Sequence, residues 1–233
     1  MRQRSVYWLV SIATMAFALN CKPTPNVSQE KNDEEQQTRS VSPAQSPAQE
    51  DETQSKTSGY KEIRYPTPNV DSTRRNTVEG VVLHHTAEPT IEKSLGVLTS
   101  LQKKVGTHCV IDLDGTRYIM CEPEIVTYHA GLSVLNGKEG CNYFTIGIEF
   151  QGNTLEKPLT DDQISSAIEY LKPLIKKYKI PVKNIVTHEM VRNAYKKKYP
   201  NKRCSGKVDI TQTEYLRFMK ALRNAVNTTQ LVD

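Results

Sequence analysis

Five histidines occur among the 233 residues, at His84, His85, His108, His129 and His188. Neutral imidazole is the commonest zinc ligand, so the question is which of these rings can converge. His84 and His85 end the Val-rich run VEGVVLHH, and His188 ends the short run Ile185–Thr187. Strand ends along one edge of a sheet are where residues distant in sequence meet. Downstream lies KKKYPNKRC, which supplies Cys204. A thiolate there would complete a His84, His188 and Cys204 set and leave a fourth position open, as a catalytic zinc requires. No C-x-x-C or H-E-x-x-H arrangement accompanies these residues. Taken alone, His84 reads equally well as a hydrogen-bonded structural histidine.

The elements that must position them can be read from periodicity. Val78–His85 is apolar, Val-rich and too short for a helix, which predicts a buried strand. Thr90 can N-cap a helix through about Lys104, with Leu95, Leu98 and Leu101 at helical spacing. Thr107–Cys121 centres an Asp-Gly pair between two Ile/Val/Tyr arms, a strong hairpin signal. Phe144–Phe150 predicts another strand. Its alternation puts Phe144, Ile146, Ile148 and Phe150 on one face, and Thr145, Gly147 and Glu149 on the other, where Gly147 leaves space for a ligand.

The capping box Thr160-Asp-Asp-Gln163 opens an amphipathic helix that carries Ile164, Ile168, Leu171, Ile175 and Tyr178 inward, with a kink expected at Pro173. A second box, Thr211-x-x-Glu214, starts a last helix through about Val226, with Leu216, Met219 and Leu222 on its core side. Strands alternating with helices, plus one hairpin, predict an α/β fold: a mixed central sheet flanked by helices.

The rest of the chain differs in composition. Residues 1–21 combine Arg2 and Arg4 with an uncharged run from Val6 to Leu19, short for a membrane span and suited to a secretion signal. Cys21 follows at once, and the arrangement resembles a bacterial lipoprotein signal, with Asn20 departing from the usual small residue. Residues 22–59 include SPAQSPAQ, carry few large apolar side chains and read as a mobile tether. A flexible chain of that length spans about 35 Å on average. Of the net charge of +5, about +6 falls on residues 60–233, because the tether is acidic. That is too little to indicate nucleic acid and suits anionic partners of a modest kind. The mean hydropathy of -0.56 excludes a polytopic membrane protein.

VEGVVLHHTAE, DLDGTRYIM, YHAG, NYFTIGIEFQG and VTHE occur in that order between residues 78 and 189. This ordered set resembles the zinc-dependent N-acetylmuramoyl-L-alanine amidases, the family of phage amidase-type lysozymes and peptidoglycan recognition proteins. The resemblance implies a single zinc amidase domain over residues 60–230. It implies Zn2+ as cofactor, with His84 and His188 as ligands and a third ligand, Cys or Asp, two residues after a lysine. Lys202-Arg203-Cys204 matches that last pattern, although the lysine comes 14 residues after His188 and Cys204-Ser205-Gly206 replaces the usual Asp-Pro-Gly-like run. Met190–Tyr199 then looks like an insertion, and Asp209 is the fallback ligand, since a thiolate suits zinc better.

The resemblance further implies Glu149 as general base and Lys202 as donor to the developing oxyanion. The expected substrate is peptidoglycan or a muropeptide, cut between N-acetylmuramic acid and L-alanine. His108, His129 and Asn142 are expected at the substrate-binding groove with Tyr128, the two histidines equally able to satisfy buried carbonyls, while His85 packs behind. The signal and Cys21 imply an exported protein, periplasmic or anchored by lipid, acting as a monomer. Two other readings compete: a peptidoglycan-binding module without catalysis, and a cysteine hydrolase with Cys204 as nucleophile and His188 as base. Pairing among Cys109, Cys121 and Cys141 stays open.

Overall fold

The computed structural model describes residues 59–204, 206 and 209–230, with side chains described to residue 227. The signal-peptide, lipidation and tether readings fall on residues 1–58 and lie outside the described residues. No described helix is long and apolar enough to cross a membrane.

In chain order the strands and helices are β1 (Glu62–Arg64), β2 (Val70–Arg75), β3 (Gly80–His85), α1 (Ile91–Thr99), β4 (Cys109–Ile111), β5 (Arg117–Ile119), β6 (Ile125–Thr127), β7 (Val134–Leu135), β8 (Lys138–Glu139), β9 (Thr145–Phe150), α2 (Asp161–Tyr178), β10 (Ile185–Thr187), α3 (His188–Lys198) and α4 (Gln212–Gln230). Six strands form one sheet in the order β1-β5-β4-β9-β3-β10. Only β4 and β5 run antiparallel within it, so the sheet is mixed, as expected. Two small ribbons, β2–β6 and β7–β8, lie apart from it.

Both faces of the sheet are covered, and period-2 alternation decides what each receives. Val81, Leu83, Ile146, Ile148 and Phe150 point to one side and pack against Ile164, Ala167 and Leu171 of α2 and Phe218, Met219 and Leu222 of α4. On the other side Val82 and Val186 meet Val191 of α3 and Phe144, while Val110 meets Leu95 and Leu98 of α1. His84 pairs in register with Glu149, and Glu149 with Val110, so one row across three parallel strands sets a histidine beside a carboxylate.

Local chemistry explains most boundaries. The Thr160 hydroxyl accepts from the Gln163 N–H while the Gln163 side chain accepts from the Thr160 N–H, completing the capping box; the helix continues across Pro173 to Tyr178. The β4–β5 hairpin closes on Asp112 and Thr116, with Gly115 at φ +82, a left-handed turn position that glycine adopts without steric cost. Here Ile119, not Met120 or Cys121, lies opposite Cys109. All four described cysteines are free. Burial pushes the Cys121 thiol up to about 12 and that of Cys141 to about 11, so both stay protonated and unreactive near neutrality.

Two expectations fail for identifiable reasons. Helix α1 stops at Thr99 because Ser100 turns extended (φ -72, ψ 116), leaving Leu101 exposed. In α4 the buried stripe runs through Phe218, Met219 and Leu222, so Leu216 falls outside it and is exposed. Met190–Tyr199, the segment that looks like an insertion, is nearly all α3, whose Thr187 N-cap accepts from the Met190 N–H and whose Val191 enters the core.

Gly147 also departs from expectation. A Cβ built there would lie 2.6 Å from His129 Cγ and 2.9 Å from Thr107 Oγ1. The space beside Gly147 is therefore filled by the His129 ring, not held open for a ligand. Gly147→Ala should destabilise the chain by about 1–3 kcal/mol, the usual cost of overpacking. Urea denaturation with an unchanged midpoint would count against this packing.

Candidate metal and catalytic site

His84 is the penultimate residue of β3, His188 opens α3 after β10, and Asp209 precedes α4. One ligand atom from each lies within 4.8 Å of the others, so this trio could hold a metal ion. The Asp209 Oδ2 lies 2.7 Å from His188 Nδ1 and 3.5 Å from His84 Nδ1. Its Oδ1 accepts from the His85 backbone N–H at 3.0 Å. Asp209 is fully buried, and the chain is pinned just beyond it. Ile210 enters the core, and the Thr211 N–H donates to Thr154 Oγ1. A buried carboxylate facing two imidazoles is a donor set that suits zinc and leaves a position open.

Cys204 is therefore corrected as the third ligand. Its Sγ lies 3.9 Å from the Lys202 carbonyl, it is partly exposed, and it belongs neither to the metal-binding trio nor to the cavity wall. The general preference of zinc for thiolate loses here to position, because Asp209 sits where the chain is anchored and Cys204 does not. Lys202 is corrected with it: its Nζ lies 4.9 Å over the Tyr199 ring, and it does not line the cavity. The same lysine-to-ligand spacing recurs at Lys207-Val208-Asp209, a signal that was available in the sequence. Lys207 itself lies outside the described residues.

His84 and His188 line a cavity of about 440 Å³, with Asp209 buried behind them, and its walls also include Glu149, Tyr128, His129, Asn142, Lys104 and Arg192. Glu149, 6% exposed, reaches the cavity from β9 beside His84. Asn142 Oδ1 accepts from the backbone N–H groups of His129 and Ala130, which fixes the YHAG turn. Sequence reasoning did not single out Glu88, Lys104 or Arg192, all of which line the cavity. Lys104 and Arg192 are isolated charges that carry no motif, and Glu88 ends the VEGVVLHHTAE run, where the histidines drew the attention.

His108 is a correction of a different kind. It does not line the cavity. Its ring is fully buried, with Nε2 at 2.8 Å from the Ile125 carbonyl and Nδ1 accepting from the Gly147 N–H at 2.9 Å. A carbonyl only accepts, so the Nε2–H tautomer satisfies both bonds. The ring ties three segments together. His85 packs behind the metal-binding trio, as expected, with Nδ1 at 2.9 Å from Thr154 Oγ1.

Burial lowers the His108 pKa to about 4. Burial, then the neighbouring His84, His108 and His188, holds His129 well below its ordinary value, with a backbone hydrogen bond at Thr145 acting against the shift. The folded state thus binds fewer protons than the unfolded chain once pH falls below about 6.5. The stability contributed by neutral His108 is complete above that value and is lost as pH falls toward 4. NMR titration should find the His108 ring still neutral at pH 5.5. Protonation there with a normal midpoint would contradict its burial.

The comparisons with known proteins bear on this geometry. A 90-residue stretch is 40% identical to 1,6-anhydro-N-acetylmuramyl-L-alanine amidase AmpD of Haemophilus influenzae, covering 37% of this chain and 47% of that protein. A 127-residue stretch is 29% identical to N-acetylmuramoyl-L-alanine amidase AmiD of Escherichia coli, covering 48% and 45%. The chain thus spans about half the length of the curated relatives it matches. The crystal structure of a selenomethionine AmpD derivative superposes with a TM-score of 0.51 at 21% identity, over 68% of this chain and 93% of that one, a likeness of fold. The model of the N-acetylmuramoyl-L-alanine amidase family matches residues 74–207, more than half of the chain. That match ends two residues before Asp209, yet it spans His84, Glu149 and His188 within one fold, and the chain belongs to this family.

Proposed function

We propose that this protein is a zinc-dependent amidase that hydrolyses the bond between N-acetylmuramic acid and the L-alanine of peptidoglycan stem peptides. The observation that carries the reading is the meeting of His84, His188 and Asp209 beside Glu149 at a cavity. When bound there, zinc polarises a carbonyl and makes water nucleophilic at neutral pH. Glu149, a buried carboxylate on a rigid strand, takes the proton of the attacking water and delivers it to the leaving nitrogen. Lys207, by its spacing to Asp209, is the cation for the developing oxyanion in place of Lys202. Lys104 and Arg192 at the cavity wall suit the carboxylates of a stem peptide.

Residues 1–21 and 22–59 support export and a long tether, with lipid attached at Cys21, and therefore action outside the cytoplasm. Labelling with a radioactive fatty acid that is lost in Cys21→Ala supports the anchor; equal labelling sinks it.

The test of function is incubation of the zinc-loaded chain with a purified muropeptide, followed by mass spectrometry. Release of the intact stem peptide and the free muramic sugar is expected. Cleavage between amino acids, or activity that survives full removal of zinc, would overturn the reading.

A further inference from the structure

Behind the metal-binding trio runs a chain of polar groups whose protons can be assigned one by one. It begins at a group with no choice, the Cys141 backbone carbonyl, which can only accept. The Thr145 hydroxyl donates to it at 2.7 Å. A hydroxyl has one proton, so towards His129 Nε2, at 3.4 Å, the Thr145 oxygen must accept. His129 is then protonated at Nε2, and its Nδ1 carries a lone pair. That Nδ1 lies 3.3 Å from His84 Nε2, so His84 must donate through Nε2–H. Its Nδ1 is left as a lone pair directed at the side where Asp209 Oδ2 and His188 Nδ1 lie. The imidazole of a metal-binding histidine is held in one tautomer by what its other nitrogen donates to. Two acceptors, His84 Nδ1 and an Asp209 oxygen, face each other across 3.5 Å, an arrangement that suits a cation between them.

From this geometry we infer that His129 is a positioning residue for metal binding: through the Cys141 carbonyl and Thr145 it fixes the proton on His84 Nε2 and presents His84 Nδ1 to the ion. The inference rests on the zinc reading above and deepens it. It gives His129 a task other than holding substrate, although the ring also forms part of the cavity wall. The ring's place is rigid. Gly147 leaves room for it, the His84 ring meets it edge-on at 5.5 Å between centroids, and Asn142 holds its backbone N–H. Thr145 is fully buried and sits on β9 at the register of Gly80, away from the trio, so it can act on the metal only through His129.

The experiment is zinc affinity of the whole chain by competition with a chromophoric chelator, for the parent, Thr145→Val, Thr145→Ser and His129→Leu. Thr145→Val removes the acceptor that sets the His129 tautomer without touching a ligand. A loss of about 10–100-fold in affinity is expected for His129→Leu and about 10-fold for Thr145→Val. Thr145→Ser, which keeps the hydroxyl, should stay within about twofold of the parent. If His129→Leu does not fold, nitrogen-15 NMR of the unmutated, zinc-loaded chain reads the tautomers directly. His129 protonated at Nε2 and His84 at Nε2 are expected. His129 protonated at Nδ1, or parent-like affinity in Thr145→Val, overturns the inference while the zinc reading stands. A parent chain that takes up no zinc overturns both.

Discussion

Asp209→Ala is expected to abolish zinc uptake and amide hydrolysis together, while Cys204→Ala keeps both near the level of the parent. Asp209 presents one oxygen to His84 and His188 and the other to the His85 N–H. Its removal takes away a ligand and leaves a buried donor unmatched, which costs about 1–3 kcal/mol of stability as well. The affinity loss should exceed the 10–100-fold seen when only an outer partner of a ligand is removed. Asp209→Asn separates the two effects, because an amide oxygen can still accept from His85 while supplying no negative charge to the metal. Zinc content by atomic absorption, with thermal melting alongside, is the check. Loss of zinc in Cys204→Ala, with zinc retained in Asp209→Ala, would reverse the assignment.

Glu149→Gln should reduce turnover by about 100- to 10,000-fold, the range for losing a positioned general base, with zinc content unchanged. Glu149 is held on β9 between β3 and β4, so the substitution alters charge at a site the backbone keeps in place. Substrate affinity should change far less than turnover, because the amide keeps the shape of the carboxylate. A variant that retains more than about a tenth of parent turnover would remove Glu149 from proton transfer, since even a weak general base contributes more than that.

What could be read in the sequence depended on range. The Thr160 capping box, the Asp-Gly hairpin and the alternation of Phe144–Phe150 are set by residues within one element, and each forms where expected except at Phe144, which precedes β9 and packs with Val82 on the opposite side. The end of α1 and the stripe on α4 were misjudged by a turn or a residue. Leu101 and Leu216 satisfy helical spacing, but only packing decides which leucine meets the sheet. The site divides in the same way. His84, Glu149 and His188 sit at the ends of well-marked strands. Which side chain meets the two histidines depended on where a loop is anchored, and ranking sulfur above oxygen could not supply that; Ile210 enters the core beside Asp209, which lies against both rings.

Gly147 and the histidines show the limit most clearly. A glycine on the site-facing side of β9 suggested room for a ligand, yet the room belongs to a ring 18 positions earlier in the chain. His108 and His129 could not be told apart as single residues. One ties strands together through Ile125 and Gly147, whereas the other stands against His84. Only the register of β4, β9 and the YHAG turn separates those roles.

The most direct test of the account is a crystal structure of the zinc-loaded chain with anomalous data at the zinc edge. The account predicts one ion bonded to His84 Nδ1, His188 Nδ1 and an Asp209 oxygen at about 2.0–2.2 Å, with a further position left open. An ion bonded to the Cys204 sulfur, or none at this trio in a chain that still cleaves muropeptide, would contradict it.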